Sequence, residues 1–542
     1  MREDNTGAEK MASPVFNVRD NNSVPVQDGL NPSIQRTVDS RIECLAEHVK
    51  LALETGRYQE ERRELVAKEA AASWDAPARS RATNNELRAQ EIMFRIRERE
   101  RRDPDLFGNM PGEEVPPPNS RDMGGRFLVN LDRIGRSSIF HIAQQIPKGC
   151  HQHLHFNSEI PPEKLFPHAR KPHMDRTMFI RSTRPLVTMD DFRQCEIVFA
   201  VLPRDTIEVD IYSPKYDPAA KEPNSPWMLW KSFRESEKFP AKVHCENYPT
   251  GLSLVECWAR EKMIVTMEHA YGDRETHNSV WACFNQGTRA FKGILGYESI
   301  YRWYIGAMIQ SMIDDKIFYA ELRPMLLDKT LPSDDGLRMI DHYEQMQILC
   351  DEVKKKQNEL EANGELEKFP FGVKVIYCTP RAISREKMQK ELNDCLKLKT
   401  EFPKLVCGFD LVGAEDRMKS IGFYGDLLMA FQETCHKENI SIPFMFHAGE
   451  TLIDTGGTDS PEHSNLFDCL LLNAKRIGHG YALLRHPLLL NRYRDRKICL
   501  ELCPISNELL HLCGNAREHP YPALLAAGLV CTLNADNPSL FR

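Results

Sequence analysis

The stretch IPKGCHQHLHFN, residues 146–157, decides the fold. His151, His153 and His155 alternate with Gln152 and Leu154. In an extended strand alternate side chains leave by the same face, so the three imidazoles point one way and any adjacent pair can hold a metal. A histidine pair on a strand is a weak signal by itself, and its weight comes from what surrounds it. From about residue 140 onward, short β-rich runs alternate with helical stretches, the pattern of βα units around a parallel sheet. Strands are expected near 150–155, 317–323, 372–378, 405–412, 442–447, 475–479, 498–502 and 529–535. Eight such units make an α/β protein, a (β/α)8 TIM-type barrel. The first two strands stand far enough apart to hold much more than a crossover helix. A large insertion is therefore expected at about 158–287, over the face where barrel enzymes build their sites.

The later strand ends carry the remaining chemistry. FHAGE (446–450) brings His447 and Glu450, RIGHG (476–480) brings His479, and NADNP (534–538) brings Asp536 and Asn537. Two strand-spaced histidines, a third histidine and an aspartate are a donor set for a catalytic zinc ion with one position open to water. A nearby free glutamate can do acid/base work. Taken singly, each of these residues is as well explained by core packing; it is their conjunction at strand ends that is specific.

Six ordered segments carry a family resemblance: PKG (147–149) with His153-Leu154-His155, GFDLVGAED (408–416), FHAGET (446–451), RIGHGYAL (476–483), ELCPISNELL (501–510) and NADNPSLF (534–541). In this order they resemble the adenosine deaminase superfamily, and within it the adenosine deaminase-related growth factor branch. The resemblance runs from about residue 140 to the end and is densest after 400. It implies a barrel of the metal-dependent hydrolase kind, with one Zn2+ per chain held by His153, His155, His447 and Asp536, leaving His151 deeper in the barrel. It also implies Glu450 as proton donor to the purine ring and His479 as the group that orients the attacking hydroxide. Asp536 would accept the water proton, and Gly413 and Asn537 would contact the ring. The implied reaction is hydrolytic deamination of adenosine or a related 6-aminopurine nucleoside to the 6-oxo product and ammonia.

Two departures bear on substrate. Asp536-Asn537-Pro538 stands where the family commonly has paired aspartates, and His155-Phe156-Asn157 where an aspartate commonly follows the histidine pair. Each exchange trades a carboxylate for a carboxamide, which still offers an N–H donor but cannot carry charge. Asn157 is a candidate sugar contact. The alternatives these changes leave open are a deaminase of a different or modified aminopurine, and a weakly active, deaminase-like binding or signalling protein. Trp227, Trp230, Trp258 and Trp281 in the insertion are better read as core packing than as a stacking platform.

The front of the chain is different. Residues 1–40 are polar and aperiodic and are expected to be disordered. Residues 41–125 make a helical extension, with Ile42, Leu45, Val49 and Leu53 at helical spacing. A Thr83–Glu86 capping box opens a second helix over 83–102, and a Pro-rich linker follows at 113–122. The barrel proper is 126–542. The helices resemble in position the dimer-forming arm of the growth factor branch, which makes a homodimer plausible. After Asp536 only six residues remain, so the end falls short of a final barrel helix. Truncation, or cover of the last strand by the helix at 83–102, would account for it.

Composition fits a small-molecule enzyme. With 71 basic and 78 acidic residues and a net charge of -7, there is no cationic footprint for nucleic acid or anionic lipid. No apolar run approaches the roughly 20 residues of a membrane helix. The start MREDNTGAEK lacks the basic-then-apolar order of an export signal, so a cytoplasmic protein is expected, with secretion less favoured. Sixteen scattered cysteines without paired spacing read as reduced thiols.

Overall fold

The computed structural model describes residues 31–541 except 109–124, 222–224, 244, 246–248, 274 and 455–459. The chain divides into two units, Met1–Ser80 and Arg81–Arg542. In the first, a helix runs from Pro32 to Thr55, capped at its start by the Asn31 side chain, which accepts from Ser33 N. Disorder expected through residue 40 is thus corrected for 32–40: Asn31 and the proline after it supply a start signal that composition alone conceals. Residues 1–30 lie outside the described ones. Gly56, at φ 56°, ends this helix in a left-handed turn, and Arg57–Ala72 and Ala76–Arg79 follow. The predicted stripe Ile42, Leu45, Val49 and Leu53 is solvent-exposed.

The second unit opens with the helix Asn84–Arg102, begun by the expected Thr83–Glu86 capping box. Glu100, within its charge-dense end, is buried and accepts from Ser137 Oγ (2.7 Å) and Ser138 N. The expected linker at 113–122 falls outside the described residues. The strands, in chain order, are β1 (Gly149–His155), β2 (Met178–Ser182), β3 (Ile197–Val201), β4 (Met228–Leu229), β5 (Ile317–Arg323), β6 (Thr330–Pro332), β7 (Met339–Asp341), β8 (Val373–Pro380), β9 (Val406–Val412), β10 (His447–Ala448), β11 (Arg476–His479), β12 (Cys499–Leu502) and β13 (Val530–Leu533). Two parallel sheets, β1-β5-β8-β9 and β10-β11-β12-β13, form two halves of a barrel. Bridges Phe409–Phe444 and Leu154–Asp536 join them into a closed ring of eight parallel strands. Such strands are covered on both faces and read as unbroken apolar runs. Val375, Ile376, Tyr377 and Cys378 of β8 are all buried.

Between β1 and β5 the insertion folds as an antiparallel sheet, β3-β2-β4, over an aromatic core. Trp258 stacks on Phe233 with centroids 5.7 Å apart, and its indole N–H donates to Phe192 O at 3.2 Å. Trp230 and Trp258 are core residues. The expected end of the insertion at about 287 falls inside the helix His277–Leu295, which packs on β3 and lines the barrel mouth. Periodicity could not place that end, because one helix serves both regions. Past β13, the short helix Pro538–Phe541 stacks Phe541 on Phe284 (5.7 Å). Val530 and Leu533 on β13 remain 47% and 66% exposed, so among the described residues neither the helix Asn84–Arg102 nor any other covers that strand's outer side chains. No helix of the described residues is long and apolar enough to cross a membrane.

Candidate active site

At the carboxyl end of the barrel, β1 sends in His153 and His155, β10 His447, β11 His479, and the turn after β13 Asp536. His153 Nε2 and His447 Nε2 stand 3.0 Å apart, and His155 Nε2 is 3.2 Å from His447 Nε2. Asp536 Oδ1 lies 3.2 Å from His155 Nε2 and 3.6 Å from His153 Nε2. The opposite ring nitrogens are committed: His153 Nδ1 donates to Glu501 (2.9 Å) and His447 Nδ1 to Asp410 (2.7 Å). Each of these two rings therefore turns its other nitrogen inward, toward the other and toward a carboxylate oxygen. Ring nitrogens and a carboxylate oxygen gathered this closely offer the donor set of a metal site. His479 also approaches: the donor atoms of His153, His447, His479 and Asp536 lie within 4.8 Å of one another.

The supporting residues are charged, and all but the partly exposed Arg476 are buried. Arg323 on β5 donates to Asp410 (2.9 Å), to Glu501 (2.6 Å) and to Gln152 O (2.7 Å). Arg476 on β11 donates to Glu501 (2.6 Å) and to Glu321. Burial alone would raise the carboxyls of Asp410 and Glu501; His447 and Arg323 at the first, Arg323 and His153 at the second, hold both well below the usual range. The main chain seats His153 as well, because a Cβ at Gly478 would come 2.6 Å from His153 Cε1.

Glu450 sits two residues past β10 in a turn fixed by Glu415, whose carboxylate accepts from Gly449 N (3.0 Å), Glu450 N (2.8 Å) and Asn465 Nδ2 (2.6 Å). Burial pushes the Glu450 carboxyl well above its ordinary value, with the charges of Asp536 and Glu415 adding to it. Its Oε1 is 3.4 Å from His479 Nε2. Asn507 Nδ2 donates to His479 Nδ1 (3.0 Å), and burial holds that imidazole neutral. His479 (φ 64°) and Asp536 (φ 60°) both have left-handed backbones, unusual for residues other than glycine. Ser506 Oγ donates to Asp536 Oδ2 (2.7 Å).

Beside this cluster opens a cavity of about 310 Å³, walled by Asn157, Trp281, Gly413, Met418, Glu450 and Asn537 among others. Every residue read from the sequence as a site candidate lies at the cluster or lines this cavity. His151 stands apart, buried, with Nε2 accepting from Ala535 N at 3.3 Å. Trp281 faces the cavity, unlike the two core tryptophans of the insertion. Sequence reading missed Arg323, Asp410, Glu415 and Glu501. Their signal was there: a lone charge within an apolar strand or beside a strand end, as in AELRP, GFDLVGAED and CLELC.

The family model described as adenosine deaminase matches residues 273–542. "Adenosine deaminase 2-A" of Danio rerio is 28% identical over 410 residues, 75% of this chain and 70% of that protein. "Adenosine deaminase" of Lutzomyia longipalpis is 36% identical over 268 residues, 49% of this chain and 48% of that protein. Among solved structures, the adenine deaminase from Arthrobacter aurescens is 15% identical with a TM-score of 0.44, covering 73% of this chain and 84% of that one. With its motifs in order and its strand-end residues converged, the chain belongs to the adenosine deaminase superfamily, resembling the growth factor branch, and is a hydrolase acting on C–N bonds.

Proposed function

We propose that the protein is a zinc-dependent deaminase of adenosine or a related 6-aminopurine nucleoside. The observation that carries this reading is the inward-facing ring nitrogens of His153 and His447 next to Asp536, at the wall of a nucleoside-sized cavity. The donor separations run from 3.0 to 3.6 Å, close enough to support one zinc ion among His153, His155, His447 and Asp536. His155 is preferred to His479 as a ligand because its Nε2 lies 3.2 Å from two other members, whereas His479 Nε2 stands next to Glu450. Such an ion supplies Lewis acidity, making water acidic enough to ionise near neutral pH.

The remaining steps belong to the chain's own residues. Glu450, its carboxyl pushed well above the ordinary value by burial, donates to the ring nitrogen beside the amine-bearing carbon and makes that carbon electrophilic. Asp536 accepts the water proton, and neutral His479 holds the attacking oxygen and the negative charge that builds on it. Oxygen adds, Asp536 passes the water proton to the departing nitrogen, which leaves as ammonia, and the added hydroxyl returns its proton to Glu450 as the 6-oxo group forms. Asn537 and Gly413 orient the ring, and Asn157 meets the sugar side.

Ammonia release from a panel of nucleosides, measured on metal-loaded and then chelated protein, tests the reading. One zinc per chain, turnover of a 6-aminopurine nucleoside that chelation abolishes and zinc restores, and a loss of at least about 100-fold in kcat for Glu450→Gln are expected. Metal-loaded protein that releases no ammonia from any member would overturn it.

A further inference from the structure

Ser158, three residues past His155, is buried and belongs to no role assigned so far. Its Oγ is 3.0 Å from Asn537 Oδ1 and 2.9 Å from His155 O. The Asn537 Nδ2 is 2.7 Å from Asp536 Oδ1. A hydroxyl has one proton to give, so the three contacts constrain one another. Were the Asn537 amide turned over, its oxygen would face the Asp536 carboxylate oxygen at 2.7 Å, acceptor against acceptor. The amide therefore gives one N–H to Asp536 and turns its oxygen to the Ser158 hydroxyl, whose one proton is shared between that oxygen and His155 O. This leaves the second Asn537 N–H, which meets no acceptor among the described residues, on a side chain that lines the cavity.

We infer that Ser158 is a positioning residue for substrate recognition: by donating to Asn537 Oδ1 it fixes the carboxamide so that an N–H donor faces the ring. The inference rests on the proposed aminopurine reading and adds to it a required partner, an acceptor nitrogen on the five-membered ring. A substrate with C–H at that place would present nothing to the donor and leave it unpaired. Discrimination between the two rings is then a property of Ser158 as much as of Asn537. The serine and the carboxamide act together.

The test compares adenosine with its 7-deaza analogue, in which that nitrogen is C–H. The zinc-loaded parent, Ser158→Ala and Ser158→Thr are measured for kcat/KM, and for binding of the product inosine and 7-deazainosine by calorimetry with and without metal. One misplaced hydrogen bond to a buried group predicts a loss of about five- to twentyfold for Ser158→Ala on adenosine and inosine. The deaza pair should hardly change, so the ratio collapses, and Ser158→Thr should restore it. Thermal midpoints separate this from loss of fold, because misfolding lowers both members of a pair equally. Equal losses on both rings, or an unchanged ratio in a parent that turns adenosine over, would overturn the role of Ser158 alone. A parent that turns over neither ring and binds neither product would overturn the proposed function and this inference with it.

Discussion

The barrel centre and the insertion are both buried, yet they are built from opposite materials. Around the metal site, Arg323, Asp410, Glu501, Glu321 and Arg476 form a charged lattice; in the insertion, Phe192, Phe233, Trp230 and Trp258 pack ring on ring. A buried charge lattice holds its members in one geometry, because removing any partner strands another charge away from water. Aromatic packing is non-directional by comparison and tolerates exchange of similar volumes. The first arrangement suits a site that must place nitrogen lone pairs within tenths of an ångström, and the second suits a cover.

The sharpest way to break the comparison is Arg323→Met. It leaves Asp410 and Glu501 buried without their shared cation, and about 3–5 kcal/mol of stability should be lost in denaturant unfolding. A loss below about 1 kcal/mol would mean that the lattice is not constraining. Next, Glu501→Gln keeps the shape but takes the charge from behind His153, and should weaken zinc binding roughly 10–100-fold in a chelator competition. Trp258→Phe, in the aromatic region, should cost only about 1–2 kcal/mol and leave kcat/KM unchanged, since that ring lies in the insertion core.

A last, pH-dependent effect lies where the chain leaves β1 for the insertion. Burial, reinforced by the charge of Asp315, pushes the Glu159 carboxyl from 4.5 up to about 8. The folded state keeps a proton that the unfolded chain gives up, so the stability from this group is full below pH 4.5 and is lost as pH rises toward 8. Glu159→Gln should therefore match the parent near pH 4.5 and exceed it increasingly up to pH 8 in thermal midpoint. A difference that does not vary with pH contradicts this.

Much of the molecule was legible because its signals were local. HxH alternation, apolar strand runs and the Thr83 capping box all act within a few residues, and the eight strands fall close to where those patterns put them. What stayed hidden depends on partners far along the chain. Arg323 meets Glu501 across 178 residues, and Ser158 meets Asn537 across 379, so neither pairing leaves a trace in either neighbourhood. The helix at Pro32 was obscured by polar composition, which outweighed a two-residue start signal. The insertion's end is not marked in the sequence, because the helix His277–Leu295 both packs on β3 and lines the cavity.

The left-handed backbones of His479 and Asp536 set folding and chemistry against each other. Non-glycine residues in such turns carry strain that a glycine would shed. A protein selected only for robustness would drift toward glycine at both places and lose its proton-handling groups as it did so. Thermostability screens run without an activity readout should therefore enrich inactive molecules at these two positions.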